Sequence, residues 1–307
     1  MKVLVTGGAG FIGSNIVDRL LDDGYEVIAI DNESSESHEN FYWNKNVENH
    51  KIDVCEYRDL DRCMKNVDVV FHLAAESRIQ PSIQNPILAI RTNTLGTCNI
   101  LQSARQNNVS RVIYSSTSSA YGFNPIPSKE NMSKDCLNPY SISKVAGEEL
   151  CSMYTDLFGL ETVIFRYFNV YGGRQPTKGQ YAPVIGLFLK QYQEGEPMTV
   201  VGSGLQRRDY TYVKDVVEAN ILAAISNDKN IIGELFNIGT GINYNIFDLV
   251  KYISGKKDII ENKDFVFVPE RIGEVKESLA DITKAKKILG WSPKMEFKNW
   301  IEQAKIS

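Results

Sequence analysis

The chain has 307 residues, 43% of them hydrophobic and 23% charged, an ordinary globular composition with length for one large or two unequal domains. A net charge of -4 leaves no global basic footprint, so nucleic acid is not an expected partner. No run of about 18 apolar residues is present to cross a membrane.

Residues 2–6 are an apolar run read as a first strand, and residues 11–23 carry apolar residues at helical spacing. Between them lies Thr6-Gly-Gly-Ala-Gly-Phe-Ile-Gly13. Glycines at 7, 10 and 13 let the chain turn tightly, approach a pyrophosphate closely and pack the helix on the sheet. The helix N-terminus adds free N–H groups and a positive dipole end for the phosphates. Residues 26–30 form the next apolar run, and Asp31 closes it 18 positions beyond Gly13. A carboxylate there accepts hydrogen bonds from the adenosine ribose and repels a 2′-phosphate. No arginine follows within several residues, so NAD is expected rather than NADP. Asp53, just past an apparent third strand, is a candidate for the adenine edge or a plain turn aspartate.

The alternation continues with runs at 68–73, 111–115 and 162–166 and helical spacing at 85–107 and 139–158. It predicts an α/β fold, a Rossmann-type doubly wound parallel sheet covered on both faces. After about residue 168 the pattern becomes irregular and richer in Gly and Pro, which reads as a smaller, discontinuous C-terminal substrate lobe over the strands' carboxyl ends. The late run Leu235-Phe-Asn-Ile238 reads as a return to the main sheet. The expected division is therefore 1–168 plus about 209–240 for the cofactor domain, and about 169–208 and 241–307 for the lobe.

Tyr140-Ser-Ile-Ser-Lys144 supplies a candidate base. A phenol titrates near ~10 and is a poor base at neutral pH. A lysine four residues later on a helix shares its face, and its charge favours the phenolate. Such a pair can take a proton from a hydroxyl beside a nicotinamide. Ser115 to Ser119 fall at a strand's carboxyl end, which suits a hydroxyl aimed at a ligand. Cys55, Cys63, Cys98, Cys136 and Cys151 are scattered, and His38, His50 and His72 have no ligand spacing. No disulfide framework, no metal site and a reducing cytoplasm are expected. The N-terminus runs directly into a strand without the segments of a signal peptide.

The Gly7/Gly10/Gly13 turn, Asp31, His72-Leu-Ala-Ala75, Asn93, Ser115-Ser116-Thr117 with Tyr121-Gly122, and Tyr140/Lys144 stand in the order seen in the extended short-chain dehydrogenases/reductases. The chain most resembles the nucleotide-sugar epimerases there, UDP-glucose and UDP-N-acetylglucosamine 4-epimerases in particular. The likeness continues through Arg166-Tyr-Phe-Asn-Val-Tyr-Gly172, Arg208-Asp-Tyr210, Asn237-Ile-Gly-Thr-Gly241 and Arg271-Ile-Gly-Glu274.

That resemblance implies NAD as cofactor, with Phe11, Ile12, Asn32, Val54, Leu73, Ala74, Ala75, Asn93, Ser115 and Phe168 around it beside the glycines and Asp31. It implies Thr117 as the hydroxyl bridging the sugar O4 and the Tyr140 phenol. Asn169, Arg208 and Arg271 fall on the substrate phosphates, and Glu274 stands where the family more often has Asp on the uridine ribose. Ser77, Ser118 and Val200 complete the substrate set. Ser278, four residues after Glu274, matches the position where a large tyrosine would exclude a 2-N-acetyl group. Serine there leads us to expect UDP-GlcNAc/UDP-GalNAc as substrates, alongside UDP-Glc/UDP-Gal.

Dehydratases of the family carry Asp-Glu where this chain has Ser118 and Ser119, and decarboxylating or 3,5-epimerising relatives carry Glu or Cys in that loop. Ala75-Glu76-Ser77 nevertheless looks like the dTDP-glucose dehydratases, and Arg78 is unusual for the epimerases. A UDP-uronic-acid 4-epimerase and a dehydratase or 4-keto reductase stay open as alternatives. A non-catalytic NAD-sensing protein is the reading from another class, and the presence of both Tyr140 and Lys144 weighs against it. By the same likeness, helices 85–107 and 139–158 form a four-helix homodimer interface.

Overall fold

The computed structural model describes residues 1–36, 38, 40–179 and 182–305. Its centre is a seven-stranded, wholly parallel sheet. Six of the strands are β1 (Lys2–Thr6), β2 (Glu26–Asp31), β3 (Glu48–Lys51), β4 (Val69–His72), β5 (Arg111–Thr117) and β6 (Glu161–Tyr167). In space the order is Leu235–Ile238, β6, β5, β4, β1, β2, β3. The late apolar run thus does return to the sheet, in parallel register with β6.

Side-chain alternation explains why this sheet is buried on both faces. Val3 and Val5 of β1 enter one core while Leu4 enters the other. The same split separates Val69 and Phe71 from Val70 on β4, and Val163 and Phe165 from Ile164 on β6. Apolar residues at every position of a strand therefore serve two layers of helices. The edge strand β3, Glu-Asn-His-Lys, is polar and mostly exposed, which discourages pairing with another chain.

The chain runs outward from β1 through β2 to β3, then crosses back to β4 on the other side of β1. This reversal opens a crevice beyond the carboxyl ends of β1 and β4, where open α/β sheets take their ligands. Helix α1 (Phe11–Asp22) starts in it.

The helix Pro139–Phe158 is fixed at both ends. The Asn138 side chain accepts from the Ser141 amide at 2.9 Å, and the Ser141 hydroxyl accepts from the Asn138 amide at 3.3 Å. Gly159 closes the helix at a φ of 71°. The expected single helix over 85–107 is instead broken into Pro86–Ile90, a π-helical turn Arg91–Leu95 and Gly96–Gln106. Such a turn widens the helix locally and commonly stands at functional sites; here it carries Asn93. A short helix, Ile79–Gln84, precedes it.

A third apolar core unites Tyr171, Phe188, Val200, Tyr210, Leu249, Phe297 and Trp300. Around it Met198–Val201 pairs in parallel with Phe265–Val268, and Arg207–Asp209 pairs antiparallel with Asn243–Asn245. Ala280, Ile282, Ala285, Leu289 and Trp291 pack into the sheet's own core although they follow residue 241. Among the described residues, no helix is long and apolar enough to span a membrane.

Candidate active site

A cleft of about 430 Å³ opens over the carboxyl ends of the central strands. Its cofactor-side wall begins at the end of β1. The Gly10 amide donates to the Gly7 carbonyl at 3.1 Å, which tightens the turn just before α1. A Cβ on Gly13 would stand 2.0 Å from the Gly7 carbonyl oxygen, and one on Gly7, whose φ is 66°, 2.9 Å from the Ala74 amide nitrogen. Only glycine fits that approach of turn, helix and the next loop. Asp31 is buried at the end of β2 and accepts from the Ala9 and Glu33 amides at 3.2 and 2.8 Å. Burial pushes its carboxyl up, opposed by those hydrogen bonds.

The facing loop is set by a buried relay. Thr6 Oγ1 accepts from the Leu73 and Ala74 amides, each at 3.0 Å, and lies 2.8 Å from His72 Nδ1. His72 Nε2 lies 2.9 Å from Thr97 Oγ1. Full burial lowers the His72 pKa to about 3, so the ring is a neutral strut between strand and helix. No metal-binding group of His, Cys, Asp and Glu exists among the described residues.

Phe11, Ile12, Asn32, Val54, Leu73, Ala74, Ala75, Ser115, Tyr140 and Lys144 line the cleft together with Gly7, Gly10, Gly13 and Asp31. Asp53, Asn93 and Phe168 do not. Asp53 caps a turn by accepting from the Cys55 amide at 2.8 Å. Asn93 is fully buried and works through its neighbours. It accepts from the Glu76 amide at 2.8 Å and donates to the Glu76 carbonyl and to Ser143 Oγ at 3.0 and 2.9 Å. Phe168 is fully buried and stacks on Tyr121 at 6.2 Å.

At the other end of the cleft β5 delivers its hydroxyls and the capped helix delivers Tyr140. Thr117 Oγ1 accepts from the Ser119 amide at 3.1 Å, which leaves its proton for another acceptor. Burial raises the Tyr140 phenol pKa; a hydrogen bond with Thr117 and the charge of Arg78 oppose that rise. Lys144 is buried, its Nζ 4.3 Å from the centroid of the Tyr114 ring. Burial brings its pKa down to about 7, against weaker pulls from Cys151 and Glu148. In the free protein the charged ammonium–phenolate pair expected from the Tyr-x-x-x-Lys spacing is thus not the favoured state. Burial drives both groups toward neutrality, and Arg78 is the cation that acts on the phenol.

On the lobe side, Asn169, at a φ of 28°, donates to the Asp209 carbonyl at 2.8 Å and to Ser278 Oγ at 3.3 Å. Glu274 lies 3.7 Å from both Arg208 and Arg271, so one carboxylate bridges the two guanidinium groups. Arg208 also donates to the Arg207 and Lys276 carbonyls. Ser77, Thr117, Ser118, Asn169, Arg208, Arg271, Glu274 and Ser278 all line the cleft. Val200 is fully buried in the lobe core instead.

Three supports of the site escaped the sequence reading. Asp209, fully buried, accepts from Thr240, Gly241 and Ala280 amides and thereby fixes the base of the lobe. Glu148 and Arg166 form a bidentate buried pair at 2.8 and 2.6 Å, to which Ser116 of β5 donates. The third is Arg78. Only for Glu148 was a signal present in the spacing, one helical turn after Lys144.

The sequence profile of the "NAD dependent epimerase/dehydratase family" matches residues 3–239. UDP-glucose 4-epimerase of Mycolicibacterium smegmatis is 35% identical over 301 residues, spanning 96% of this chain and 94% of that protein. The crystal structure of UDP-glucose 4-epimerase with UDP-glucose from Thermotoga maritima superposes with a TM-score of 0.91 at 37% identity, covering 100% of this chain and 98% of that one. UDP-glucuronic acid 4-epimerase of Bacillus cereus, solved with UDP-glucuronic acid and NAD, gives 0.88 at 33% identity, covering 100% and 98%. The glycine cradle, which a single Cβ would fill, and the Asp31 carboxylate lining the same cleft fit NAD as the cofactor. This chain therefore belongs to the NAD dependent epimerase/dehydratase family, within the extended short-chain dehydrogenases/reductases, and its relatives include UDP-sugar 4-epimerases.

Proposed function

We propose that the protein interconverts UDP-sugars by inverting C4 through a transient 4-keto sugar. The observation that carries this reading is the Tyr140 phenol, which lines the same cleft as Thr117 and the glycine turn. Bound there, NAD would supply the acceptor and donor for the C4 hydride. Every other task falls to the chain. Tyr140 takes the O4 proton and later gives it back, with the Thr117 hydroxyl as bridge. Lys144, one helical turn from Tyr140, supplies positive charge favouring the phenolate once the cleft is filled. Arg208 and Arg271 take the pyrophosphate, with bidentate geometry suited to it, when Glu274 turns to the uridine ribose. A nucleotide held so firmly can stay fixed while the keto sugar turns.

Ser278, small and hydrogen-bonded to Asn169, supports a pocket roomy enough for UDP-GlcNAc/UDP-GalNAc as well as UDP-Glc/UDP-Gal. A 4,6-dehydratase needs an acid and a base past Thr117, and Ser118 and Ser119 supply neither. We assign cofactor binding to 1–168 with about 209–240, and nucleotide-sugar binding to about 169–208 and 241–307.

The test is to denature purified protein and quantify released NAD, then assay UDP-sugars with no cofactor added. Stoichiometric NAD and C4 interconversion are expected. A requirement for fresh NAD(P)H at each turnover would identify a reductase instead.

A further inference from the structure

Arg78 is a cation in the cleft that no carboxylate among the described residues answers. It follows the cofactor-side loop Leu73–Ala75 and lines the same cavity as Thr117, Ser118, Ser119 and Tyr140. Its Nε is buried without a hydrogen-bond partner. Among the described residues no carboxylate pairs with it, and Tyr140 is the group whose charge favours its ionised form. A half-buried guanidinium whose Nε lacks a partner is costly, so its position marks where a ligand completes the pair.

Three anionic groups can enter this cleft, and two have their own recognition. The cofactor pyrophosphate meets the glycine turn and the N-terminus of α1. The substrate pyrophosphate meets Arg208 and Arg271, already bridged by Glu274. What remains for a cation beside Tyr140 is a charge on the sugar itself. If Tyr140 addresses O4, the exocyclic C6 is carried by the neighbouring ring carbon, on the same edge of the sugar. The Ser118 and Ser119 hydroxyls line that wall and can satisfy further lone pairs of a carboxylate.

We propose that Arg78 pairs with a carboxylate at C6, so that the preferred substrates are UDP-uronic acids, with or without a 2-N-acetyl group. This rests on the C4-epimerase reading above and adds a selecting residue to it.

The experiment compares kcat/KM for UDP-glucuronic acid and UDP-glucose in the NAD-loaded wild type, Arg78→Met and Arg78→Lys. Each ratio comes from one preparation, so it is independent of the folded fraction. The wild type is expected to prefer the uronic acid, and Arg78→Met to lower the uronate-to-glucose ratio at least about 30-fold, as for loss of one partner of a buried charge pair. Arg78→Lys should restore part of it, and it carries the comparison alone if the Met variant does not fold. An unchanged ratio overturns the proposal. So does equal loss on both substrates with NAD released, which would assign Arg78 to the cofactor. A wild type that turns over UDP-glucose but not UDP-glucuronic acid overturns it while the epimerase reading stands. Turnover of no UDP-sugar sinks both.

Discussion

Burial decides the charge at the reacting end. Lys144 is enclosed by the Tyr114 ring and the sheet, and its pKa falls from 10.5 to about 7. Because the folded value lies below the unfolded one, the unfolded chain binds the extra proton between about pH 7 and 10.5. Native stability therefore rises with pH through that window, and the penalty is complete at its acid end. Lys144→Met should remove a penalty on the order of a few kcal/mol while abolishing epimerisation. Urea melts of the cofactor-free protein should give a gain that is largest near pH 6.5 and shrinks by pH 9.5. A gain independent of pH, or a loss, would contradict this assignment. Arg78 is the complementary case, a residue whose cation stays available because no carboxylate among the described residues pairs with it and its Nε has no hydrogen-bond partner. Its oddity was visible in the sequence, but its facing Tyr140 was not, since that depends on how residues 76–80 leave the end of β4.

At the scale of elements, what was legible followed from periodicity and turn chemistry. The apolar runs of β1, β2, β4, β5 and β6 stand within a residue or two of where alternation placed them. The Gly7–Gly13 turn needed no tertiary information, because only glycine allows that approach. The helix bearing Tyr140 begins where Pro139 after Asn138 signals a capped start. Three features were not legible. The π-helical turn at Arg91–Leu95 carries Asn93, which reaches both Glu76 and Ser143, contacts far apart in sequence. Val200 and Phe168 face cores and not the cleft, a choice made by packing between lobe and sheet. Asp209 reads as one residue of an Arg-Asp-Tyr motif, yet its four hydrogen-bond partners come from residues 240, 241 and 280. Such hubs arise from topology, which local pattern does not encode.

At the scale of the molecule, one surface departs from the rest. Ile87, Leu88, Ile90 and Leu95 on the broken helix, and Ile142, Leu157 and Phe158 on the helix bearing Tyr140, are all exposed, Ile87 by 80% and Leu157 by 69%. Apolar side chains gathered on two adjacent helices favour burial against another protein surface. We propose that a second copy of this chain covers them, as the family likeness implies, through a symmetric interface. Light scattering should give twice the mass of one chain, and Leu157→Glu should shift it toward one. A wild-type mass of a single chain would refute the dimer. The same two helices carry Asn93 and Tyr140, so such an interface would brace the catalytic wall from behind.

The central claim is that the phenol of Tyr140 takes the sugar's O4 proton within the cofactor cleft. Its most direct test is the turnover of Tyr140→Phe on whichever UDP-sugar the wild type interconverts, with bound NAD measured in parallel. Loss of the acid–base group should lower kcat by about a hundredfold or more with the cofactor still in place. Turnover within a few-fold of wild type would contradict the account.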